Sequence, residues 1–229
     1  DAFTLFESLN NRGVPLSVMD IIKNKMLGSL ENQKKMDVDE AYNQWQTLLD
    51  YLPEYQDQQR FLRQYYNAFK VYPENRLDKF PRALNSNLVK IYEQFIKKDA
   101  ENILNELLNK AKTYNRFIEP NSQDDSEQYR SLLDLQRIGS APSYILLLYL
   151  YSLNEDHYYS RDTAIIETLD FLIKYYVRRN ITDFPNTREL DIINIEVIEK
   201  CYKNIQDGNK IDGDFIKNSI LNGRGKPSD

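Results

Sequence analysis

Glycine is scarce in this chain, and its scarcity restricts the folds that the sequence can adopt. Only 7 of the 229 residues are glycine, about 3% against roughly 7% in an average protein. Because tight turns and β-hairpins depend on glycine at positions of positive φ, few of either are expected. Apolar side chains instead recur at spacings of three and four residues along most of the chain, which predicts amphipathic helices.

The apolar spacing predicts about ten helices and indicates no convincing strand. We expect an irregular all-α bundle in two lobes, residues 31–118 and 127–222, separated by the polar, proline-containing segment 119–126. The segment 143–153 is apolar on all sides, as in a helix buried at the centre of a lobe. The other predicted helices have one apolar face each and cover residues 18–30, 38–52, 57–71, 88–96, 100–118, 127–138, 161–179, 188–206 and 214–221.

Residues that favour helix N-termini mark where several of these helices begin. Ser17 followed by Asp20 three residues later is a variant of the capping box, in which the serine hydroxyl binds a free helix N–H group. Such residues also precede four of the later predicted helices: Asp99, Ser126, Ser160 and Thr187.

The charge balance is acidic, with 30 Lys and Arg against 35 Asp and Glu and a formal net charge of −5. A protein that coats nucleic acid through overall basicity is therefore excluded, although a local basic patch is not. The longest apolar run covers residues 144–151, whereas a transmembrane helix needs about twenty residues. We therefore expect no membrane partner, and the single cysteine, Cys201, is consistent with a reducing, cytoplasmic compartment.

Few residue sets in the chain are suited to catalysis. The single histidine, His157, excludes the histidine pair of an HNH or zinc nuclease, and the single cysteine excludes a cysteine zinc site. The glycine motifs G-x-x-x-x-G-K-[ST] and G-x-G-x-x-G are absent, and no lysine follows an acidic residue at the two-residue spacing of restriction-type nucleases. We interpret His157 as an exposed loop residue and expect no catalysis by this segment alone.

One segment carries a specific sequence signature. Residues 3–27 read FTLFESLNNRGVPLSVMDIIKNKML, which resembles the pattern F-E-x-L-N-x-R-G-x-P-L-S-x-x-D-[LI]-[IL]-K-N of the GmrSD-type restriction endonuclease family. The N-terminal part of these proteins is the domain of unknown function numbered 262. Three later features are also similar to the family. They are the arginine pair Arg178-Arg179, the following Asn186 and the proline-led apolar helix over residues 142–150. Fourteen positions match the pattern at the right spacing: Phe6, Glu7, Leu9, Asn10, Arg12, Gly13, Pro15, Leu16, Ser17, Asp20, Ile21, Ile22, Lys23 and Asn24.

The resemblance implies a bacterial restriction-type protein that acts in phage defence by nucleotide-dependent cleavage of modified foreign DNA. Family members carry an Asp-Gly-Gln-Gln-Arg motif in a ParB-like N-terminal domain, and many carry a second, HNH nuclease domain. Both motifs are absent here, although Gln58-Gln59-Arg60 matches the end of the first at a predicted helix start. The resemblance therefore implies that residues 1–30 end a ParB-like α/β domain and that the remainder is the helical region.

The same resemblance implies the cofactors and partners. A nucleotide and a divalent metal ion are expected for the full-length protein, and none for this segment. The expected partners are DNA, the missing N-terminal nucleotide domain and the HNH nuclease domain of the same protein.

The signature segment holds the first candidate phosphate site. Asn10, Arg12 and Gly13 lie directly before a predicted helix, so that turn N–H groups, the guanidinium and free helix N–H groups converge there. Lys23 adds a positive charge one turn into that helix. The alternative is a purely structural turn with Arg12 in solvent, and we expect Asp20 to cap the helix rather than bind a metal ion.

Residues 60–82 hold a second candidate site, with six basic side chains against two acidic ones. Basic charge interleaved with aromatic rings is typical of surfaces that bind single-stranded nucleic acid or the phosphate backbone, and we select Arg60 and Arg63 as candidates. The alternative is an amphipathic helix whose aromatic rings are core and whose cations are solvated. The basic residues are Arg60, Arg63, Lys70, Arg76, Lys79 and Arg82, and the aromatic ones are Tyr65, Tyr66, Tyr72 and Phe80.

A third basic cluster ends a predicted helix and includes the candidates Arg178 and Arg179 beside Lys174. DNA contact competes here with structural capping, because cations are stabilised at helix C-termini.

Two functions remain for the chain as a whole: a non-catalytic helical region that positions DNA or couples nucleotide and nuclease domains, and an α-helical scaffold that binds protein. A DNA role requires the cations of residues 60–82 or 174–188 to gather on one face, whereas scattered cations favour the scaffold.

Overall fold

The computed structural model describes residues 17–120 and 126–224. Within these ranges the chain contains nine α-helices and three short 3-10 turns, and its only β interaction is an isolated bridge between Tyr158 and Ile211. The prediction of an irregular all-α bundle is confirmed. Residues 1–16 lie outside the described ranges, so the ParB-like remnant expected over residues 1–30 stays a prediction.

The helices follow one another with short connections. They are α1 (Val18–Gln33), α2 (Val38–Asp50), α3 (Tyr55–Phe69), α4 (Leu88–Ile118), α5 (Glu127–Arg137), α6 (Tyr144–Ser152), α7 (Arg161–Thr182), α8 (Thr187–Gln206) and α9 (Gly213–Leu221). The 3-10 turns are Pro73–Asn75, Ala141–Ser143 and Glu155–His157.

The described residues divide into two compact units. The first unit contains residues 17–66 and 75–112, and the second contains residues 67–74, 113–120 and 126–224. Helices α3 and α4 contribute residues to both units, so the division falls inside these helices. That residues 31–118 and 127–222 form separate lobes stays a prediction.

In the first unit, α1 packs against α2 through the apolar faces that the sequence predicts. Ile22, Met26 and Leu30 are fully buried along α1, at the four-residue spacing that keeps side chains on one face of a helix. Trp45 is buried on α2. Helix α3 is joined to α4 by the buried Tyr92 hydroxyl, which donates to the Leu62 carbonyl oxygen at 2.9 Å.

Helix α4 is kinked at Asp99, where the backbone leaves the helical region at φ −163° and ψ 95°. The Asp99 carboxylate accepts a hydrogen bond from Lys35 Nζ at 3.0 Å and one from the Asn102 N–H at 3.2 Å. These hydrogen bonds, that of Lys35 first, hold the pKa of the Asp99 carboxyl below its usual value. The helices predicted over residues 88–96 and 100–118 therefore meet at this kink within α4, and Asp99 caps the second of them as predicted.

The second unit is built around α6, whose residues 144–150 are all buried. Helix α8 packs against α6, α5 packs against α7, and α9 packs against both α7 and α8. The prediction of a central helix at 143–153 is confirmed, because a segment that is apolar on every face is stable only when neighbours surround it.

In addition to Asp99, the predicted caps Ser17 and Ser126 are confirmed by side-chain hydrogen bonds. Ser17 Oγ accepts the Asp20 N–H, and Ser126 Oγ accepts the Tyr129 N–H, both at 3.1 Å. Ser160 occupies the predicted N-cap position of α7, and its carbonyl accepts the Ala164 N–H at 3.0 Å, but its hydroxyl pairs with Thr163 Oγ1 at 2.9 Å and caps no helix N–H group.

The start of α8 differs from the prediction by one residue. Asn186 is the cap, and its Oδ1 accepts the N–H groups of Arg188 at 3.0 Å and Glu189 at 3.2 Å. Thr187 is the first helical residue instead of the cap. Since asparagine and threonine both favour this position, the sequence alone did not decide between adjacent candidates.

Candidate nucleic-acid interface

The structure describes the signature segment only from Ser17 onward, so it includes one of the segment's candidate residues, Lys23, and not the other three. Asn10, Arg12 and Gly13 lie outside the described residues, so the phosphate site proposed for that turn stays a prediction. Lys23 lies on α1, where its Nζ is 3.5 Å from Asp20 Oδ1. Asp20 in turn accepts a hydrogen bond from the hydroxyl of Ser17 at 2.6 Å, so this carboxylate takes part in the helix cap, as expected.

Arg60 and Arg63 line the same cleft in the first unit. The cleft has a volume of about 500 Å³, within the roughly 300–1,000 Å³ of small-ligand sites. Its wall on α3 consists of polar and cationic side chains, and its other wall is the exposed loop before α4. None of its seven lining residues carries a carboxylate: Gln56, Gln59, Arg60, Arg63, Leu84, Asn85 and Ser86. We call this site the arginine cleft.

The amphipathic character of α3 orients the first wall of the arginine cleft. Phe61, Leu62 and Tyr65 are buried and fix one side of the helix against the core. Arg60 and Arg63 lie on another side of the helix, where each is only partly buried. Arg60 forms an ion pair with Asp57 one turn earlier, which holds the guanidinium along the helix surface.

Hydrogen bonds hold the second wall, residues 84–86, in place. Asn87 Oδ1 accepts the Leu84 N–H at 2.8 Å, and the Asn87 side-chain amide donates to the Arg82 carbonyl at 3.0 Å. The preceding loop is tied to α3 because the Tyr66 hydroxyl donates to the Phe80 carbonyl at 2.6 Å. Both walls of the arginine cleft are therefore anchored to the same helix.

The aromatic rings between these cations do not form a stacking surface for bases. Tyr65 and Tyr66 are buried in the first unit, and burial raises the pKa of both phenols. In the second unit, Tyr72 packs against Phe69, Tyr149 and Tyr202, with an edge-to-face contact to Tyr202. Tyr65 and Tyr66 are therefore core, as in the alternative interpretation, whereas Tyr72 is half-buried against other aromatic rings.

The remaining cations of residues 60–82 do not line the arginine cleft. Lys70 belongs to the second unit and forms an ion pair with Glu199 at 3.2 Å. Arg76 lies in the exposed loop and pairs with Asp78 at 3.3 Å. Of the six basic residues, Arg60 and Arg63 alone line the cleft, so the basic stretch of sequence is not a single basic surface.

Arg179 is held inside the second unit, where it links the end of α7 to the start of α8. Its guanidinium donates to the Pro185 carbonyl at 3.1 Å, to Thr187 Oγ1 at 2.8 Å and to Asp183 Oδ1 at 3.1 Å. The side chain is only 16% exposed. Arg178, by contrast, is exposed on α7, so the two adjacent arginines lie in different environments.

The groups usually considered for catalysis are placed unfavourably. Cys201 is fully buried on α8, and burial raises the pKa of its thiol to about 12, which removes the thiolate needed for reactivity. His157 is half-buried in a 3-10 turn, less exposed than predicted. Across residues 17–120 and 126–224, no group of three or more His, Cys, Asp or Glu side chains is arranged to hold a metal ion.

Sequence reasoning found the two arginines of the cleft but missed its other polar residues. Gln56 and Gln59 lie on the same helix as the arginines, and Gln59 was noted only as part of the Gln58-Gln59-Arg60 match to the family motif. Asn85 and Ser86 come from a loop more than twenty residues away, so no spacing rule connects them with Arg60. In the part of the chain that is described, no helix is long and apolar enough to cross a membrane.

Comparison with known proteins does not identify a relative. No family model, no curated protein and no solved structure matches this chain.

Proposed function

We propose that this chain is the helical region of a DNA-targeting, restriction-type protein and that it positions DNA by binding backbone phosphates at the arginine cleft. The observation that carries the proposal is the composition of that cleft, which combines two guanidinium groups with amide and hydroxyl donors and contains no carboxylate. The restriction-type context rests on the fourteen matching positions of the signature segment.

The chemistry of the arginine cleft suits a phosphodiester. A guanidinium presents paired N–H donors that match two phosphate oxygens, and Gln, Asn and Ser side chains are common phosphate ligands in DNA complexes. Asp57 pairs with Arg60 although it does not line the cleft, so its carboxylate orients the guanidinium and offsets part of its charge. Contacts of this kind fix the position of DNA and carry no sequence preference.

The proposal assigns no catalytic step to this chain. Nucleotide and divalent metal chemistry would belong to other parts of a longer protein, a nucleotide domain and an HNH nuclease domain. The helical region would couple those parts to the bound DNA.

The test is DNA binding by the double variant Arg60→Gln/Arg63→Gln. Fluorescence anisotropy with a labelled duplex, and with its single strand, should show a roughly ten- to hundredfold weaker affinity than the unaltered chain, because charge-assisted hydrogen bonds are lost. The slope of log K against log salt should become shallower by about 1.8, since each neutralised duplex phosphate contributes about 0.9.

A matched control removes the same charge elsewhere. The double variant Arg76→Gln/Arg137→Gln also loses two positive charges, and both arginines are exposed and paired with an acidic neighbour, Asp78 or Asp134. Its affinity and salt slope should stay close to those of the unaltered chain. Equal weakening by both double variants would reduce the effect to net charge and refute the arginine cleft as the DNA site.

The second function, a protein-binding scaffold, is favoured by the scatter of the other cations of residues 60–82, which do not line the arginine cleft, and by a different surface. Val177, Ile181 and Phe184 are exposed near the end of α7, with Ile181 at 80% exposure. Isolated exposed apolar residues are common, but several close together often mark a protein contact. DNA affinity that is undetectable for the unaltered chain at low salt would favour the scaffold.

A further inference from the structure

Helix α7 keeps one stripe of its surface exposed, and within this stripe the Glu167 side chain also lies against Gly213 at the start of α9. The residues of this stripe follow the spacing 4, 3, 4, 3, 4, which keeps side chains on one face of an α-helix. They are Thr163, Glu167, Asp170, Lys174, Val177 and Ile181. We call this surface the α7 stripe, and Arg178 lies exposed beside it.

The rest of α7 is anchored in the second unit. Helices α5 and α9 both pack against it. The buried residues form the opposite face of the helix: Ala164, Ile165, Thr168, Leu169, Leu172, Tyr175 and Tyr176. The α7 stripe is therefore presented on a fixed helix and needs no rearrangement to meet a partner.

Charge is distributed unevenly along the α7 stripe. Glu167 and Asp170 make its first half acidic, whereas Lys174, with Arg178 beside it, makes its second half basic. A uniformly acidic or uniformly basic partner would be repelled at one half. An occupant fits only when its charges run in the opposite order.

A second copy of the chain supplies that order when its α7 runs antiparallel to the first. The 4, 3, 4, 3, 4 spacing reads the same in both directions. A two-fold axis that crosses the stripe midway between Asp170 and Lys174 therefore brings the stripes of the two copies face to face, with their residues paired in opposite order. Asp170 then lies opposite Lys174 of the second copy, and Glu167 lies opposite Val177 and next to Arg178. Each ion pair occurs twice, as a two-fold interface requires.

The apolar residues of the α7 stripe gain from the same arrangement. Ile181 lies opposite Thr163 of the second copy, so its exposed side chain is covered by the first turn of the facing helix. Removing this apolar surface from water favours association. The charges alone would contribute little, because exposed ion pairs are weak.

We propose that two copies of this chain associate through antiparallel packing of the α7 stripe. A helix of 22 residues is about 33 Å long, and a single helix pair forms a small interface, typical of transient complexes. A dissociation constant on the order of 100 µM is therefore expected. The proposal does not depend on DNA binding.

The test is the mass of the chain in solution, followed by sedimentation from about 5 µM to about 1 mM, a range that brackets the expected dissociation constant. The mass should rise from 27.2 kDa towards twice that value. Asp170→Lys and Lys174→Asp should each weaken association at least about tenfold, because each places like charges opposite one another across the axis.

An equimolar mixture of these two variants provides the decisive measurement. Asp170→Lys carries two lysines at the centre of its stripe and Lys174→Asp carries two aspartates, so the mixture should form a heterodimer although each variant alone is monomeric. An ion pair within one helix cannot produce this result. A mixture that stays monomeric would overturn the proposal, as would an unaltered chain that stays at 27.2 kDa throughout.

Control variants separate the stripe from net charge. Asp78→Lys and Arg137→Asp make the same charge changes at exposed positions outside the α7 stripe and should leave association unchanged. Ile181→Ser should weaken association with no change of charge. Equal loss of association with Asp78→Lys and with Asp170→Lys would also overturn the proposal, and circular dichroism should show unchanged helicity in every variant.

Discussion

Replacing Arg179 with glutamine should destabilise the protein and leave DNA binding intact. The guanidinium donates to the Pro185 carbonyl and to Thr187 Oγ1 while its side chain is only 16% exposed. Hydrogen bonds from a charged donor contribute about 1.5–3 kcal/mol each. The bond to Asp183 adds little, because that carboxylate is 89% exposed.

The expected loss follows from these partners. Pro185 is buried, so its carbonyl loses a donor that water does not readily replace, whereas glutamine can still reach one of the two acceptors. We expect the free energy of unfolding to fall by about 2–3 kcal/mol, and the melting temperature by about 4–12 °C for a chain of this size. Urea unfolding followed by circular dichroism measures the loss.

Lys174→Gln is the matched control, because it removes one positive charge from the same helix at an exposed position. Its free energy of unfolding should stay within about 0.5 kcal/mol of the original. The DNA affinity of folded Arg179→Gln should equal that of the unaltered chain. Unchanged stability together with weakened DNA binding would refute this reasoning and restore Arg179 as a DNA ligand.

Two further outcomes test the packing of the second unit. Gly213→Ala should lower the free energy of unfolding by about 1–3 kcal/mol in urea titrations, because its Cβ would lie 2.4 Å from Glu167 Cβ, an atom fixed to the backbone of α7. Cys201 should not react with a thiol reagent at pH 8 until the protein is unfolded, since burial raises the pKa of the thiol to about 12 and leaves almost no thiolate; fast reaction of the native chain would contradict this.

The helices were predictable because their signals are local. Ile22, Met26 and Leu30 repeat at a spacing that places side chains on one face of a helix, and all three are fully buried. The apolar segment of α6 likewise indicated its central place. The cap of α8 was placed one residue too late, because the choice between Asn186 and Thr187 depends on the turn before the helix, which periodicity does not describe.

The candidate site was only half predictable, for a physical reason. Charge along the chain pointed to Arg60 and Arg63, but the same basic stretch includes Lys70, whose ion-pair partner Glu199 lies 129 residues away. The second wall of the arginine cleft was also hidden, because Asn85 reaches it through a loop rather than a helix. Contacts between residues distant in sequence decide which cations share a surface, and a single sequence contains no record of them.

The two proposals can be separated because they act on different physical quantities. A chain with net charge −5 gains no long-range attraction to DNA, so affinity at the arginine cleft must come from short-range contacts and appear in the salt slope. Association through the α7 stripe appears instead as a dependence on protein concentration. If both hold, each dimer carries two arginine clefts, and a DNA long enough to reach both would bind more tightly than either cleft alone. The Asp170→Lys variant would then lose that gain and keep the salt slope of a single cleft, whereas Arg60→Gln/Arg63→Gln would lose the slope and still dimerise.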